Sequence, residues 1–349
     1  MQEPARVAID LGAESCRVSL LRWADAAPAV AVIHRIPNRP RRRGASLYWP
    51  LQEILAGLEE GLRKAAAMAP EGIASIGVDG WSVDYVRLVP GGKMLCEPFC
   101  YRDERTAESK RNADAIVAPF DLYQRTGAYP LYLNTLYQLM ADPASGPEAD
   151  SEKIDKRAPW VMLPEFVLYW LSGRRVAEYT NATHTGLVNL KTGAWDAELF
   201  ETLGLAFEAA PPLLPAGTVL GPIEGPLAAL DAFRATEIIA PATHDTASAI
   251  AGIPAGLSST AYISSGTWSL VAQSRRRRSP RGTPSMPDTP ILAPRAEGFS
   301  FTRSSTACGC SSSAWMPGPR RDGPGPSKNS SKSLPHAVPE ACSIWMLRR

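Results

Sequence analysis

The sequence predicts a mixed α/β protein built on strands near its N-terminus, and three observations carry that reading. An apolar run at residues 6–12 enters a turn at Gly12 and is answered by a second run at 17–23, as in a β-hairpin. Residues 50–68 keep a 3.6-residue period, with Leu51, Ile54, Leu55, Leu58 and Leu62 on one face. Beyond them, short apolar runs alternate with helical stretches as far as residue 263, the pattern of helices packed on a sheet.

In chain order, a third strand is expected at 29–35, followed by a basic loop at 37–44 and then the helix 50–68. A buried strand at 73–78 ends on Asp79, and another at 85–89 runs into the turn Pro90-Gly91-Gly92. Helices are expected at 106–116, at 134–140 and at 163–171, the last stopped by Ser172-Gly173. Pro211, Pro212, Pro215, Pro222 and Pro226 interrupt the chain before a second domain, with strands at 238–240 and 260–263 flanking a helix at 244–252.

At 349 residues the chain has room for two domains. Its charge is unevenly spread: residues 274–349 carry 13 Lys and Arg against four Asp and Glu, whereas residues 1–273 carry 24 against 31. The basic segment also holds 11 Pro and 14 Ser but only six Ile, Leu and Val, too little apolar surface to offset its chain entropy, so disorder is expected there. The run Arg275–Arg278 reads either as a nucleic-acid arm or as a solvated tail. The absence of interleaved aromatics favours the tail and no nucleic-acid partner.

Six cysteines form no disulfide framework, and Cys308-Gly309-Cys310 lacks the second pair that a zinc site needs. With no signal peptide and no bilayer-length apolar run, a cytoplasmic protein without a membrane partner is expected.

Four stretches bear residues suited to chemistry. Asp10-Leu11-Gly12-Ala13-Glu14-Ser15-Cys16-Arg17 sets a carboxylate at a strand end beside a small-residue turn. Such turns aim backbone N–H groups at phosphate and the Asp can hold Mg²⁺ through water, although a plain hairpin has the same look. Gly77-Val78-Asp79-Gly80-Trp81-Ser82-Val83-Asp84 places an indole between acids, either to stack on a sugar ring or as a half-buried Trp at a domain edge. Tyr101-Arg102-Asp103-Glu104-Arg105 reads as a solvated helix start. Thr243-His244-Asp245-Thr246 offers Asp245 as a general base with His244 beside it, or a helix N-cap, and Ser264–Thr267 supplies a second phosphate turn.

In this order the segments resemble the rhamnulokinase branch of the FGGY carbohydrate kinases, within the actin, Hsp70 and sugar-kinase superfamily. The motifs are D-L-G-A-E-S at Asp10, G-V-D-G-W-S-V-D at Gly77, Y-R-D-E-R-T at Tyr101, T-H-D-T-A-S-A at Thr243 and A-Y-I-S-S-G-T-W-S-L at Ala261, covering about residues 5–271. The resemblance implies an actin-like (ribonuclease H-like) kinase domain over 1–240 and the start of a second such domain at 241–273. It also implies transfer of phosphate from ATP, with Mg²⁺, to the 1-hydroxyl of L-rhamnulose. By residue matching, Asp245 is the base, and Ala13, Glu14, Ser15, Cys16, Arg17 and Thr267 meet ATP. Asp10 serves the metal, and Trp81, Ser82, His244, Asp245 and Thr246 meet the sugar. Cys16 and Ser82 stand where the family has Gly, and side chains there crowd phosphate and sugar.

The family's second domain does not continue after Val271. Read from the third base of each codon, however, Ser305 to Gly318 can spell N-G-M-W-L-L-K-Q-C-M-D-A-W and Pro290 to Glu297 can spell N-F-S-T-E-G-G, both similar to segments of that domain. The expectation is a frameshift between about Val271 and Pro290, with 274–349 translated out of frame. Such a chain would have one wall of a two-walled cleft and little or no kinase activity. The alternatives are a non-catalytic remnant that binds sugar weakly, or another FGGY sugar kinase.

Overall fold

A computed structural model describes residues 3–24, 27–142, 155–253, 261–265, 269–274 and 299–300. Its centre is a six-stranded mixed sheet. The N-terminal hairpin forms as expected, β1 (Ala5–Leu11) running antiparallel to β2 (Ser15–Ala24), which pairs with the edge strand β3 (Ala27–Pro37). On its other side β1 lies parallel to Ile73–Gly80, which lies parallel to Glu237–Ala240, and Thr218–Pro222 closes that edge antiparallel. Val7, Ile9 and Leu11 of β1 are buried while Arg6, Ala8 and Asp10 alternate with them, the period of two that sets the register.

The helix α1 (Leu51–Met68) buries Leu51, Ile54, Leu58 and Leu62 against this sheet, each worth on the order of 2 kcal/mol. The helix Leu163–Ser172 joins the same core through Phe166, Val167, Leu168 and Leu171, and Gly173 in the left-handed region ends it. A second core gathers Leu136, Tyr137 and Leu139 of Thr135–Met140 with Leu122, Trp160, Leu199 and Phe200.

Differences from expectation concern short elements that tertiary partners stabilise. The strand expected at 85–89 is Tyr85–Arg87, paired with the unforeseen strand Trp160–Met162. The basic loop contains a small hairpin, Arg41–Arg43 with Ser46–Tyr48, and Pro119–Thr126 and Ala197–Thr202 add helices. Beyond the sheet, Ala261–Ser265 and Ser269–Ser274 pair antiparallel. Within the segment expected to be disordered, Phe299–Ser300 pair with Gln273 and Ser274. The rest of that segment, with Cys308, Cys310 and the motifs spelled in the shifted frame, lies outside the described residues, as does Thr267.

Candidate functional site

Parallel strands deliver whatever follows their C-terminal ends to one edge of a sheet, where α/β folds bind ligands. Here β1 ends at Asp10-Leu11, the strand Ile73–Gly80 ends at Asp79-Gly80, and Glu237–Ala240 leads into Thr243-His244-Asp245. Asp10 and Asp79 are register partners, Gly80 bridges to His244, and the Gly80 N–H donates to Thr243 O at 3.0 Å. Gly80 permits this crowding, since a Cβ there would stand 2.6 Å from Leu11 Cβ.

Three carboxylates therefore converge, and each is held above the ordinary Asp range. Burial raises Asp79 well above it, with the charges of Asp10 and Asp245 adding to the effect. Burial also raises Asp10, where Arg17 pulls the other way, donating to Asp10 Oδ2 at 2.7 Å, and the Asp245 charge pushes up again. Asp245 is raised by burial and eased by Thr246. Its side chain is walled in yet keeps 47% of its surface open, the situation of a cleft residue rather than a core one. Among the described residues its contacts, from the Thr246 N–H and hydroxyl and from His244, all fall on Oδ1.

His244 Nε2 stands 3.2 Å from that oxygen, and its ring packs on His184 at 3.9 Å between centroids. Burial lowers the His244 pKa to about 3 and pushes His184 well down, so both imidazoles are neutral near pH 7. His244 occupies the N-cap position of the helix Asp245–Ala251 but makes no side-chain cap, so capping does not explain it.

The turn after β1 is tight: a Cβ on Gly12 would stand 2.5 Å from Ser15 O. Asn38 braces it, its side chain donating to Gly12 O and its backbone to Glu14 O. Ala13 is buried, Glu14 exposed, and Ser15 and Arg17 half-buried. The crowding of phosphate expected from the Cys16 side chain does not arise, because that side chain is fully buried in the apolar core with its thiol pushed up to about 12.

Trp81 is not the half-buried side chain at a domain edge that one reading expected. It is buried at 7% exposure, packed on Trp49 at 4.6 Å, and it donates to Asp84 Oδ2 at 3.0 Å. Ser82 is half-buried, and the next residue, Val83, has φ +73°, a costly conformation for a β-branched side chain. Thr135 and Gln138 hold it there by donating to Val83 O.

The Tyr101–Arg105 cluster is also corrected. Arg105 lies 3.9 Å over the Phe99 ring and reaches Asp142, and buried Asp103 accepts from the Leu47 N–H, so it is a packed network and not a solvated helix start. Residues missed by sequence reasoning sit behind the site: His184, Glu165 and Glu178. A signal existed for two of them, since Glu165 is the one charge in Leu163–Ser172 and His184 is one of four histidines.

Among the described residues no three His, Cys, Asp or Glu side chains stand close enough to hold a metal directly. Asp79 Oδ1, buried and without a partner among the described residues, and the crowded charges of Asp10 and Asp245 do fit a hydrated Mg²⁺, which keeps several waters and takes one or two carboxylates. No helix of the described residues is long and apolar enough to cross a membrane.

Residues 5–252 match the family model described as the FGGY family of carbohydrate kinases, N-terminal domain. A rhamnulokinase of Ligilactobacillus salivarius is 34% identical over 267 residues, covering 76% of this chain and 53% of that protein. One from Pectobacterium atrosepticum is 37% identical over 302 residues, covering 85% and 56%. Among solved structures, a xylulose kinase from Rhodospirillum rubrum superposes with a TM-score of 0.70 at 17% identity, over 86% of this chain and 60% of that one. The chain spans about half the length of the curated relatives it matches.

Proposed function

The chain belongs to the FGGY family of carbohydrate kinases, and from that premise we propose that its cleft serves transfer of the γ-phosphoryl group of ATP to the 1-hydroxyl of L-rhamnulose. The choice of sugar rests on the named relatives and on the T-H-D-T-A sequence at Thr243. The observation that carries the chemistry is the placing of Asp245, open on one side and raised in pKa, at the strand ends beside a braced glycine turn.

In this reading Asp245 takes the hydroxyl proton through Oδ2, while Thr246 and neutral His244 hold Oδ1. His244, Thr246 and Ser82 orient the sugar, and Trp81 offers it only the 7% of its surface that stays exposed. The turn Ala13–Arg17 receives phosphate together with Thr267, Cys16 through its backbone alone, and Arg17 stays tied to Asp10 until an anion arrives. Mg²⁺, held through water by Asp10, would neutralise phosphate oxygens.

The kinase domain is assigned to 1–240 and the start of its partner to 241–273, and 274–349 is read as an out-of-frame translation, which the encoding nucleotide sequence tests. On the reading of 274–349 as out-of-frame translation, those residues build no second wall to exclude water and align ATP, and this 349-residue stretch by itself is expected to turn over little or no L-rhamnulose. A coupled ATP assay showing ordinary turnover by this chain would overturn that expectation. With the frame restored, Asp245→Asn is expected to abolish transfer and spare sugar binding, whereas retained turnover removes Asp245 from the role of base.

A further inference from the structure

Behind the proposed base, two glutamates on separate elements meet in the core. Glu165, on the helix Leu163–Ser172, and Glu178, at the end of the strand Ala177–Glu178, are both 0% exposed. Among the described residues neither forms an ion pair. Burying two carboxylates without a cation is costly, and such a cost persists where the groups fix something else.

What they fix is Thr243. Its hydroxyl donates to Glu165 Oε1 at 2.6 Å and its backbone N–H to Glu178 Oε2 at 3.0 Å, while its carbonyl accepts from Gly80. Every polar group of this fully buried residue is thus committed, and the next two residues are His244 and Asp245. The same carboxylates hold the other side of the site. Glu165 Oε2 accepts from Asn181 Nδ2 at 2.9 Å, and Glu178 caps the helix Tyr179–Ala182 through the Thr180 N–H. The turn Thr183–Thr185 that follows directly carries His184, the ring packed on His244.

We infer that Glu165 and Glu178 are positioning residues that lock Thr243, and with it the His244–Asp245 turn, against the segment bearing His184. The two glutamates touch neither substrate nor phosphate. They set where the base and its neighbouring imidazole stand, so the inference rests on the reading of Asp245 given above, while the geometry of the two histidines can be measured apart from any reaction.

The test uses the 349-residue chain with two substitutions at one residue: Thr243→Val, which keeps the shape and removes the hydroxyl, and Thr243→Ser, which keeps the hydroxyl. With only four histidines, imidazole NMR resonances report on each site, and His34, on the edge strand β3 with its Nδ1 3.0 Å from Lys64 Nζ, serves as the internal control. Thr243→Val is expected to shift the His184 and His244 resonances, leave His34 unmoved and weaken L-rhamnulose binding at least about tenfold, and Thr243→Ser is expected to restore both readouts. Glu178→Gln gives the same pattern should Thr243→Val fail to fold. A folded Thr243→Val or Glu178→Gln chain with unmoved His184 and His244 resonances overturns the inference. Shifted resonances in a chain that never binds L-rhamnulose support the positioning role and remove the sugar assignment instead.

Discussion

Two of the sets of buried or half-buried carboxylates in this protein differ in how fully they are satisfied. Asp84 accepts from Trp49, Trp81, Gln138 and the Tyr101 N–H, and Asp142 accepts from Tyr85, Arg87 and Arg105. At the ends of the parallel strands, among the described residues, Asp79 leaves Oδ1 without a partner, Asp10 has Arg17, and Asp245 is bonded on one oxygen by its own neighbours. The first set holds helices and indoles together. The second is a concentration of negative charge that, among the described residues, only Arg17 pairs with, and an under-balanced site of this kind is where a cation and a substrate hydroxyl gain most.

The contrast can be broken in several ways. The largest effect is expected from Asp245→Asn in a two-domain protein: a loss of about 10³-fold in transfer, within the range that general bases contribute, read by a coupled ATP assay. Next comes the opposite kind of residue. Asp84→Ala leaves several buried donors unpaired and is expected to cost about 4 kcal/mol in urea unfolding, whereas Asp79→Asn, which removes a repelled charge, is expected to cost nothing or to stabilise. Equal losses at both positions would erase the distinction.

A third effect concerns pH. Burial raises Glu165 to about 7 and Asp84 to about 6, above their unfolded values of 4.5 and 3.8. Between those limits the folded chain binds more protons than the unfolded one, so their contribution is full below about pH 4 and is lost as pH rises to 7. Glu165→Gln is expected to flatten the upper part of that fall, by up to about 3 kcal/mol, in unfolding measured across pH. An unchanged slope would show that Glu165 ionises freely. The smallest effect belongs to exposed pairs: Arg41→Ala, which breaks the Arg41–Glu53 pair, is expected to change stability by less than about 1 kcal/mol.

Five of the six sheet strands and the front of the site were legible in the sequence because they rest on local pattern, whereas the edge strand Thr218–Pro222 falls in the stretch read as interrupted by prolines. The β1–β2 hairpin, α1 and the helix Thr106–Ile116 follow from periodicity and turn residues, and Asp10, Asp79 and Asp245 each stand at the end of a recognisable strand or at a helix start. The back of the site rests on contacts between distant residues. Thr243 meets Glu165 across 78 positions and Glu178 across 65, and nothing local marks those pairings. The Tyr101–Arg105 cluster misled for the same reason, since a run of charges looks solvated until Phe99, Gln138 and Asp142 close around Arg105. Trp81 was judged from its acidic neighbours, whereas its packing is decided by Trp49.

Titration of L-rhamnulose into the 349-residue chain, followed by its intrinsic fluorescence, to which Trp49 and Trp81 contribute among nine tryptophans, tests most directly whether the under-balanced carboxylates form a sugar site. Saturable quenching that survives Asp245→Asn and weakens at least about tenfold in His244→Ala is the expected result. A titration that never saturates, or one that His244→Ala leaves unchanged, would contradict it.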